Sequence, residues 1–272
     1  MSADLVITSP ANPRLKALAA LRRRGVREDK GLTVVEGYEE LVLALDSGVV
    51  PVSLYHCPEL MGDPAAQSET VDRVAELGAE VVQLARVAFE RAAYREGPDG
   101  FLAVVPSIRS TCADLVVPDD AFVLLCEGVE KPGNLGAMLR TADAAGVHAV
   151  IAADPVTDWG NPNLIRSAKG TVFSVPVAAD PTPVALAWLA SHGIPLVAAT
   201  PDTMTDHTDI SYAGPVAIAV GAEKHGLSEQ ALAAATHRVR IPMVGQANSL
   251  NVATSAAILV YEAVRQRRAP IG

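Results

Sequence analysis

The sequence is poor in cysteine and in aromatic residues, and its histidines and cysteines are scattered. Cys57, Cys112 and Cys126 are far apart and form no metal-type spacing. No His/Glu pair has the spacing of a zinc site, and His225 beside Glu223 is more typical of a surface histidine. We therefore predict reduced thiols, no bound metal and a cytoplasmic location.

Long hydrophobic segments are also missing. No apolar run reaches the ~20 residues that a transmembrane helix requires. The first five residues lack the basic segment and apolar stretch of a secretory signal. Half of the residues are nevertheless hydrophobic, mainly Ala, Val and Leu, which is enough for a packed core. These features predict a globular protein that does not associate with membranes.

The familiar nucleotide-binding motifs are incomplete. Gly221 and Gly226 have the spacing of the two glycines of a phosphate loop, but Leu227 and Ser228 follow where Lys and Ser or Thr are required. No G-x-G-x-x-G motif follows the first strand of either half. An ATPase or a nicotinamide-dependent enzyme is therefore disfavoured.

The charge is unevenly distributed along the chain. The net charge is −9, yet residues 12–30 contain seven Lys or Arg and only two acids, a local +5. The rest of the chain contains 15 basic and 29 acidic residues, a net −14. An acidic body with one basic segment fits a localised anionic partner. A solvated helix face is the alternative, and a run of charge alone favours that alternative.

The order of strands and helices predicts two α/β domains. Residues 1–105 form a small α/β domain, residues 106–120 are a Pro-containing linker, and residues 121–272 form a second domain. The apolar run at 121–126 predicts a strand covered on both faces. Strands predicted at 147–152, 172–175, 195–199, 215–220 and 239–241 alternate with helices. This alternation favours a mostly parallel sheet with helices on both sides.

Three polar or glycine-bearing segments stand out in the second domain, at 134–142, 220–228 and 241–252. The second and third come directly after predicted strands. Ligands of parallel sheets bind outside the carboxyl ends of the strands, so we expect these segments to form a site. Ser249 and Asn251 occupy positions typical of helix N-caps, where backbone N–H groups can face a ligand.

Together these segments resemble the signature blocks of the SpoU (TrmH) family of SPOUT-class RNA 2′-O-ribose methyltransferases. The first block is Asn134, Gly136 and 140–142, the second is Gly221, Glu223 and 226–228, and the third is 241–243 with 249–252. Each block alone is weak, but the three in order are specific. The resemblance covers about residues 120–268. The first hundred residues resemble, less specifically, the small L30e-like substrate-binding domain that precedes it in many members.

The resemblance implies a deep trefoil knot, a homodimer and S-adenosyl-L-methionine bound in the knotted loops. Periodicity could not have predicted the knot, because knots are nearly absent from proteins in general. The implied cofactor-binding residues are Thr200, Gly221, Glu223, Ile241, Met243, Ser249 and Leu250. Their types suit the ligand, since glycine permits close backbone approach and Ile and Leu can enclose a flat ring.

The resemblance also assigns Arg140 to activation of the ribose 2′-hydroxyl. Two versions of this role are open. Arg140 acts as a base if its surroundings remove its charge, or it stays cationic, holds a phosphate and stabilises the forming alkoxide. The second version is favoured because a guanidinium is normally charged. Asn134, Glu223, Ser249 and Asn251 complete the predicted catalytic set. Taken singly, these residues could equally be helix caps or ion-pair partners.

RNA-binding residues are predicted in two other places. The basic segment and the stretch after residue 162 together supply Arg14, Arg22, Arg23, Arg24, Arg166 and Lys169. A structural salt bridge is the competing explanation for Arg166 and Lys169. We expect S-adenosylmethionine-dependent 2′-O-methylation of RNA, preferably 23S ribosomal RNA, with a link to resistance against ribosome-targeting antibiotics left open. The alternatives are methylation of transfer RNA, a non-catalytic RNA-binding or ribosome-assembly protein and, remotely, a nucleotide-dependent metabolic enzyme.

Overall fold

Alternating strands and helices continue through most of the chain in a computed structural model, which describes residues 6–246 and 249–268. The first five residues, on which the expectation about a secretory signal depends, lie outside that range. The chain divides into two compact units. The first unit contains residues up to 108 together with 159–174, and the second contains 109–158 together with 175 onwards.

The first unit contains a five-stranded mixed sheet. Its elements are β1 (Val6–Ile7), α1 (Pro13–Ala20), α2 (Arg24–Lys30), β2 (Leu32–Glu36), α3 (Tyr38–Asp46), β3 (Ser53–His56), α4 (Pro64–Glu76), β4 (Glu80–Leu84), α5 (Arg86–Ala92) and β5 (Phe101–Pro106). The strand order is β1-β4-β3-β5-β2, and β5 runs antiparallel to both β2 and β3. Periodicity missed β1, α2 and α5, which are at most seven residues long.

The second unit contains a six-stranded sheet that is parallel throughout. Its order is β11-β9-β10-β6-β7-β8. The elements from residue 122 onwards are β6 (Phe122–Glu127), α6 (Pro132–Ala145), β7 (Ala149–Ala153), α7 (Pro162–Ser167), β8 (Val177–Asp180), α8 (Thr182–Ser191), β9 (Leu196–Ala199), β10 (Val216–Val220), α9 (Glu229–Ala234), β11 (His237–Val239) and α10 (Val252–Arg268). The predicted parallel sheet is confirmed, and every residue of β6 and β10 is buried.

Two predicted strands are wrong in position. Residues 171–175 form turns, and the strand that follows them is β8. Their apolar residues Val172 and Val175 are buried, so burial without strand pairing misled the pattern. The strand expected at 239–241 is β11, which ends at Val239, because Arg240 leaves the sheet and its N–H donates to the Thr205 carbonyl oxygen at 2.9 Å.

The segment 159–174, which includes α7, packs with the first unit although it follows β7 in sequence. The Thr33 hydroxyl of β2 donates a hydrogen bond to the Gly160 carbonyl oxygen. Gly170 has φ +79° and packs so closely on α3 that a Cβ there would lie 3.1 Å from the Cα of Glu40. The compact units therefore differ from the predicted boundaries at this segment, because long-range contacts decide where it packs.

Helix α10 packs against α6 and β10 of the second unit. Its buried residues repeat at helical spacing, as the sequence predicts, and they are Val252, Ala256, Leu259, Val260, Ala263 and Val264. No helix within the described ranges has the length and apolar character to cross a membrane.

Candidate active site

Four neighbouring strands of the second unit end at the same edge of the sheet. They are β11, β9, β10 and β6, and all run parallel. The loops that follow them begin at Arg240, Thr200, Gly221 and Gly128. The fold therefore brings the second and third sequence blocks to one edge, together with the loop that leads into the first block on α6.

A chain of hydrogen bonds joins the three blocks at this edge. The Asn134 side-chain amide donates to Glu223 Oε1. The Asn251 amide donates to Asn134 Oδ1 at 3.1 Å. Asn251 Oδ1 in turn accepts from the backbone N–H groups of Ala253 at 2.9 Å and Thr254 at 3.4 Å, which caps α10. These three polar side chains are therefore in contact, although they are far apart in sequence.

Lys131 belongs to the same chain of bonds, although its sequence pattern did not predict a role in the site. Its Nζ lies 2.6 Å from Glu223 Oε2, and its side chain is 67% exposed. The hydrogen bond from Lys131 is the main cause that holds the pKa of Glu223 below its usual range. The sequence feature that could have predicted it is its position directly before the Pro-Gly-Asn that opens α6.

The glycines of the second block give its loop a tight shape. A Cβ at Gly221 would lie 2.1 Å from the carbonyl carbon of Gly226, so only glycine fits there. Gly226 has φ +67°, in the left-handed region that favours glycine. The Gly226 N–H donates to the Ala222 carbonyl oxygen at 2.8 Å and closes the loop on itself.

The third block is an exposed loop after β11. Met243 and Leu250 are 41% and 36% exposed. No hydrogen bond with another described residue involves 241–246, Ser249 or Leu250, while Ala247 and Asn248 lie outside the description. A loop with unused backbone donors and acceptors beside apolar side chains suits a flat ring with polar edges. The residues present therefore fit the nucleoside part of S-adenosylmethionine.

Thr200 lies at the end of β9. Its N–H donates to the Val239 carbonyl oxygen at 2.9 Å, and its hydroxyl accepts from the Asp202 N–H at 3.2 Å. The predicted cofactor residues thus follow three adjacent strands, β10, β9 and β11. Their individual contacts with the cofactor stay predictions.

Arg140 and Ser249 are not part of the hydrogen-bonded chain. Arg140 follows Asn134 by six positions, which is ~9 Å along the helix and about 240° around it. It is exposed, whereas Leu139 and Ala142 face the core. The Arg140 side chain forms no hydrogen bond or ion pair with any residue that the structure describes, so its guanidinium is available to a ligand.

Several cations of the basic segment, residues 12–30, already form ion pairs or hydrogen bonds within the protein. Arg14 forms an ion pair with Glu80 at 2.6 Å. Arg22 donates to the carbonyl oxygens of Ala92 and Ala93, and its guanidinium stacks 4.3 Å from the ring centroid of Tyr94. These contacts hold α1 and the residues after it against other parts of the first unit.

The remaining cations of the segment fall into two groups. Arg24 pairs with Glu28 at 2.7 Å, and Arg27 is only 2% exposed and donates to backbone carbonyl oxygens. The side chains of Arg23, Lys16 and Lys30 are exposed, and among the described residues none of these side chains has a hydrogen bond or ion pair. The surface charge available to RNA is therefore smaller than the sequence count.

Arg166 and Lys169 both lie in the first unit. The Arg166 side chain donates to Asn163 Oδ1 at 3.3 Å. Lys169 Nζ lies 3.4 Å from a Glu39 carboxylate oxygen and 3.8 Å from Glu40 Oε1. The salt-bridge explanation left open by the sequence therefore applies to Lys169. Within the described ranges, no group of three or more His, Cys, Asp or Glu could hold a metal ion.

Residues 121–261, more than half of the chain, match the model of the SpoU rRNA Methylase family. The chain belongs to this family. Residues 12–103 also match the MRM3-like substrate binding domain, which confirms a substrate-binding domain before the methylase domain of this SpoU protein. The resemblance carried by the three blocks is thus confirmed, while the knot and the homodimer stay predictions.

Similar proteins fall into two groups of RNA methyltransferases. The 23S rRNA (guanosine(2553)-2′-O)-methyltransferase RlmP of Bacillus subtilis is 31% identical, and the match covers 94% of this chain and 97% of RlmP. A 23S rRNA (uridine(2479)-2′-O)-methyltransferase of Streptomyces viridochromogenes is 34% identical over 63% of this chain, which spans only 62% of that relative. The tRNA (guanosine(18)-2′-O)-methyltransferase of Escherichia coli is 39% identical over 58% of this chain.

Solved structures cover nearly the whole chain. A crystal structure of an RNA 2′-O ribose methyltransferase has a TM-score of 0.84 at 38% identity, and the match covers 96% of this chain and 99% of that one. The SpoU methyltransferase AviRb of Streptomyces viridochromogenes, in complex with AdoMet, has a TM-score of 0.86 at 29% identity, over 94% and 98% of the chains.

Proposed function

We propose that this SpoU-family protein transfers a methyl group from S-adenosylmethionine to the 2′-hydroxyl of a ribose in RNA, with 23S ribosomal RNA as the substrate. The observation that carries the proposal is the hydrogen-bonded chain Lys131–Glu223–Asn134–Asn251, which unites three sequence blocks at the ligand-binding edge of a parallel sheet. The full-length match to RlmP supports ribosomal RNA over transfer RNA.

The cofactor supplies a methyl group on a positively charged sulfur. The protein must align the ribose oxygen with that carbon and stabilise the oxygen as its proton leaves. Arg140 fits the second task because it is exposed and has no partner among the described side chains. A guanidinium in water keeps its charge, which supports a cationic Arg140 that binds a phosphate and stabilises negative charge on the ribose oxygen.

The roles proposed for Asn134 and Asn251 are to hold loops rather than to contact RNA. Both polar atoms of the Asn134 side chain are used, one towards Glu223 and one towards Asn251. The hydrogen-bond network determines which side-chain atom of Asn134 and of Asn251 is the amide nitrogen and which is the oxygen. Glu223 and Asn251 then fix the loop after β10 and the start of α10, where the cofactor would bind.

A homodimer is part of the proposal. Met204, Val244 and Tyr261 of the second unit are 81%, 103% and 48% exposed, and exposed apolar residues of this size suit burial by a second copy of the chain. The trefoil knot and a cytoplasmic location belong to the proposal as well. Sedimentation equilibrium of the full chain tests the dimer, since a monomer at all concentrations would contradict it.

A tritiated methyl transfer assay tests the function. When the purified protein is incubated with total RNA from cells that lack it, the RNA should accept label from S-adenosylmethionine. Primer extension should then locate one modified ribose in 23S RNA. Label in transfer RNA alone would favour the transfer RNA alternative. Cofactor binding without any transfer would favour a non-catalytic RNA-binding or assembly protein. Antibiotic susceptibility of the deletion strain tests the link to resistance.

A further inference from the structure

Glu127 is a buried carboxylate that the proposed reaction does not use. It ends β6, and only 5% of the residue is exposed. In the described part of the chain no Lys, Arg or His forms an ion pair with it. A buried charge without a cation is costly unless hydrogen bonds satisfy it, so its donors should reveal why it is there.

Two donors of Ser228 bond to this carboxylate, and the Thr182 hydroxyl, whose single proton is shared with Asp154, lies beside it. The Ser228 backbone N–H donates to Glu127 Oε2 at 2.7 Å, and the Ser228 hydroxyl donates to Oε1 at 2.7 Å. The Thr182 hydroxyl lies 2.8 Å from Oε1. Hydrogen bonds to a charged acceptor are short and roughly twice as strong as neutral ones, and Glu127 itself is buried although Ser228 is exposed.

The donors belong to elements that frame the site. Ser228 ends the loop that begins at Gly221, and its hydroxyl oxygen caps α9 by accepting from the Ala231 N–H at 3.1 Å. Thr182 begins α8, and its hydroxyl also lies 2.7 Å from Asp154 Oδ2, directly after β7. One carboxylate therefore ties the end of the 221–228 loop to β6 and to the start of α8.

We propose that Glu127 is a positioning residue for cofactor binding. It holds Ser228, and Ser228 fixes one end of the loop whose other end carries Gly221 and Glu223. Gly221 has no room for adjustment, since its Cα packs against the Gly226–Leu227 peptide. Release of Ser228 thus moves the loop as a unit away from the cofactor. This inference rests on the proposed function, because it assigns the loop to S-adenosylmethionine.

The experiment compares Glu127→Gln with the wild-type chain. Glutamine keeps the shape but removes the charge and replaces one acceptor with a donor, so Ser228 loses a partner. We expect KM and Kd for S-adenosylmethionine to rise about tenfold, with RNA affinity unchanged. Glu229→Gln is the matched control, because Glu229 is exposed, lies next to Ser228 and carries the same charge.

A purely structural role would give a different result. It would lower the folded fraction and hence the apparent kcat, and it would leave the cofactor KM unchanged; that outcome overturns the inference. If Glu127→Gln fails to fold, Ser228→Ala gives the same test, and Ser228→Thr should restore the cofactor KM by restoring the hydroxyl. An unchanged KM in Ser228→Ala also overturns it. A wild-type chain that does not bind S-adenosylmethionine refutes the proposed function and this inference together.

Discussion

The polar residues that the sequence predicts to be functional lie in two regions of the molecule. The two regions differ in how the side chains of these residues are hydrogen-bonded. At the C-terminal edge of the second unit, Asn134, Glu223 and Asn251 bond to one another across more than eighty residues of sequence. In the basic segment, Arg24 bonds within its own helix, and Arg22 bonds to the last residue of α5 and the residue after it. The first region is a shared network, whereas the second leaves only single exposed cations.

The difference shows which side chains remain for a ligand. The Arg140 side chain on α6 has no partner among the described residues, and the same holds for Lys16, Arg23 and Lys30 in the basic segment. Counting charge treats all seven cations of the basic segment alike, although Arg27 is buried. Variants of unpartnered and of partnered side chains should therefore differ in their effect on RNA binding and catalysis.

The largest effect is expected from Arg140→Ala. Loss of a cation that stabilises charge on the ribose oxygen should lower kcat about 10²- to 10³-fold. Fold and cofactor affinity should not change, because Arg140 is exposed and outside the network. Methyl transfer kinetics and calorimetry of the same preparation check both points, and near-normal turnover would exclude Arg140 from catalysis.

Gly221→Ala should weaken cofactor binding about 10- to 100-fold, because the added Cβ meets backbone atoms at 2.1–2.3 Å. Gly133→Ala is the matched control, since a Cβ there meets nothing within 4 Å. It should bind cofactor normally. Equal losses in both variants would mean that the shape of the 221–228 loop does not matter for the ligand.

The sequence predicted the parallel sheet and the meeting of the three sequence blocks, because buried strands and N-cap residues are local patterns. It missed Lys131, whose partner Glu223 is distant in sequence, and it assigned no role to Glu127, the polar residue that directly follows the predicted strand 121–126. The sequence also predicted 159–174 as part of the second domain, because the contacts that pack this segment onto β2 and α3 join residues far apart in the chain. The knot has no local pattern at all.

A double-mutant cycle on Asn134→Ala and Asn251→Ala measures the network itself. A single side-chain hydrogen bond should give a coupling of about 1 kcal/mol in cofactor binding or in unfolding by urea. The cycle cancels the loss of the α10 cap, which Asn251→Ala causes on its own. Additive effects would show that the two amides do not cooperate in solution.

The free cations of the basic segment are tested by salt dependence. Replacing Lys16 and Arg23 with alanine should weaken RNA binding and reduce the slope of log K against log salt by about 1 per lost phosphate contact. Replacing Arg14 and Arg24, which have carboxylate partners, is the control and should change the slope less. Equal changes would erase the distinction between free and engaged cations.

The smallest effect concerns the Lys131–Glu223 pair and pH. Because the hydrogen bond from Lys131 lowers the pKa of Glu223 below its unfolded value, the pair adds stability that is fully present above about pH 4.5. That stability is lost as pH falls through the lowered folded-state pKa. Solvent screening keeps the contribution small for such exposed groups. Lys131→Met should therefore destabilise the protein slightly at pH 7, and its stability should converge with that of the wild type once the pH falls below the lowered pKa of Glu223, as measured by urea unfolding. A difference that stayed constant with pH would assign the effect to packing of the lysine side chain instead of its charge.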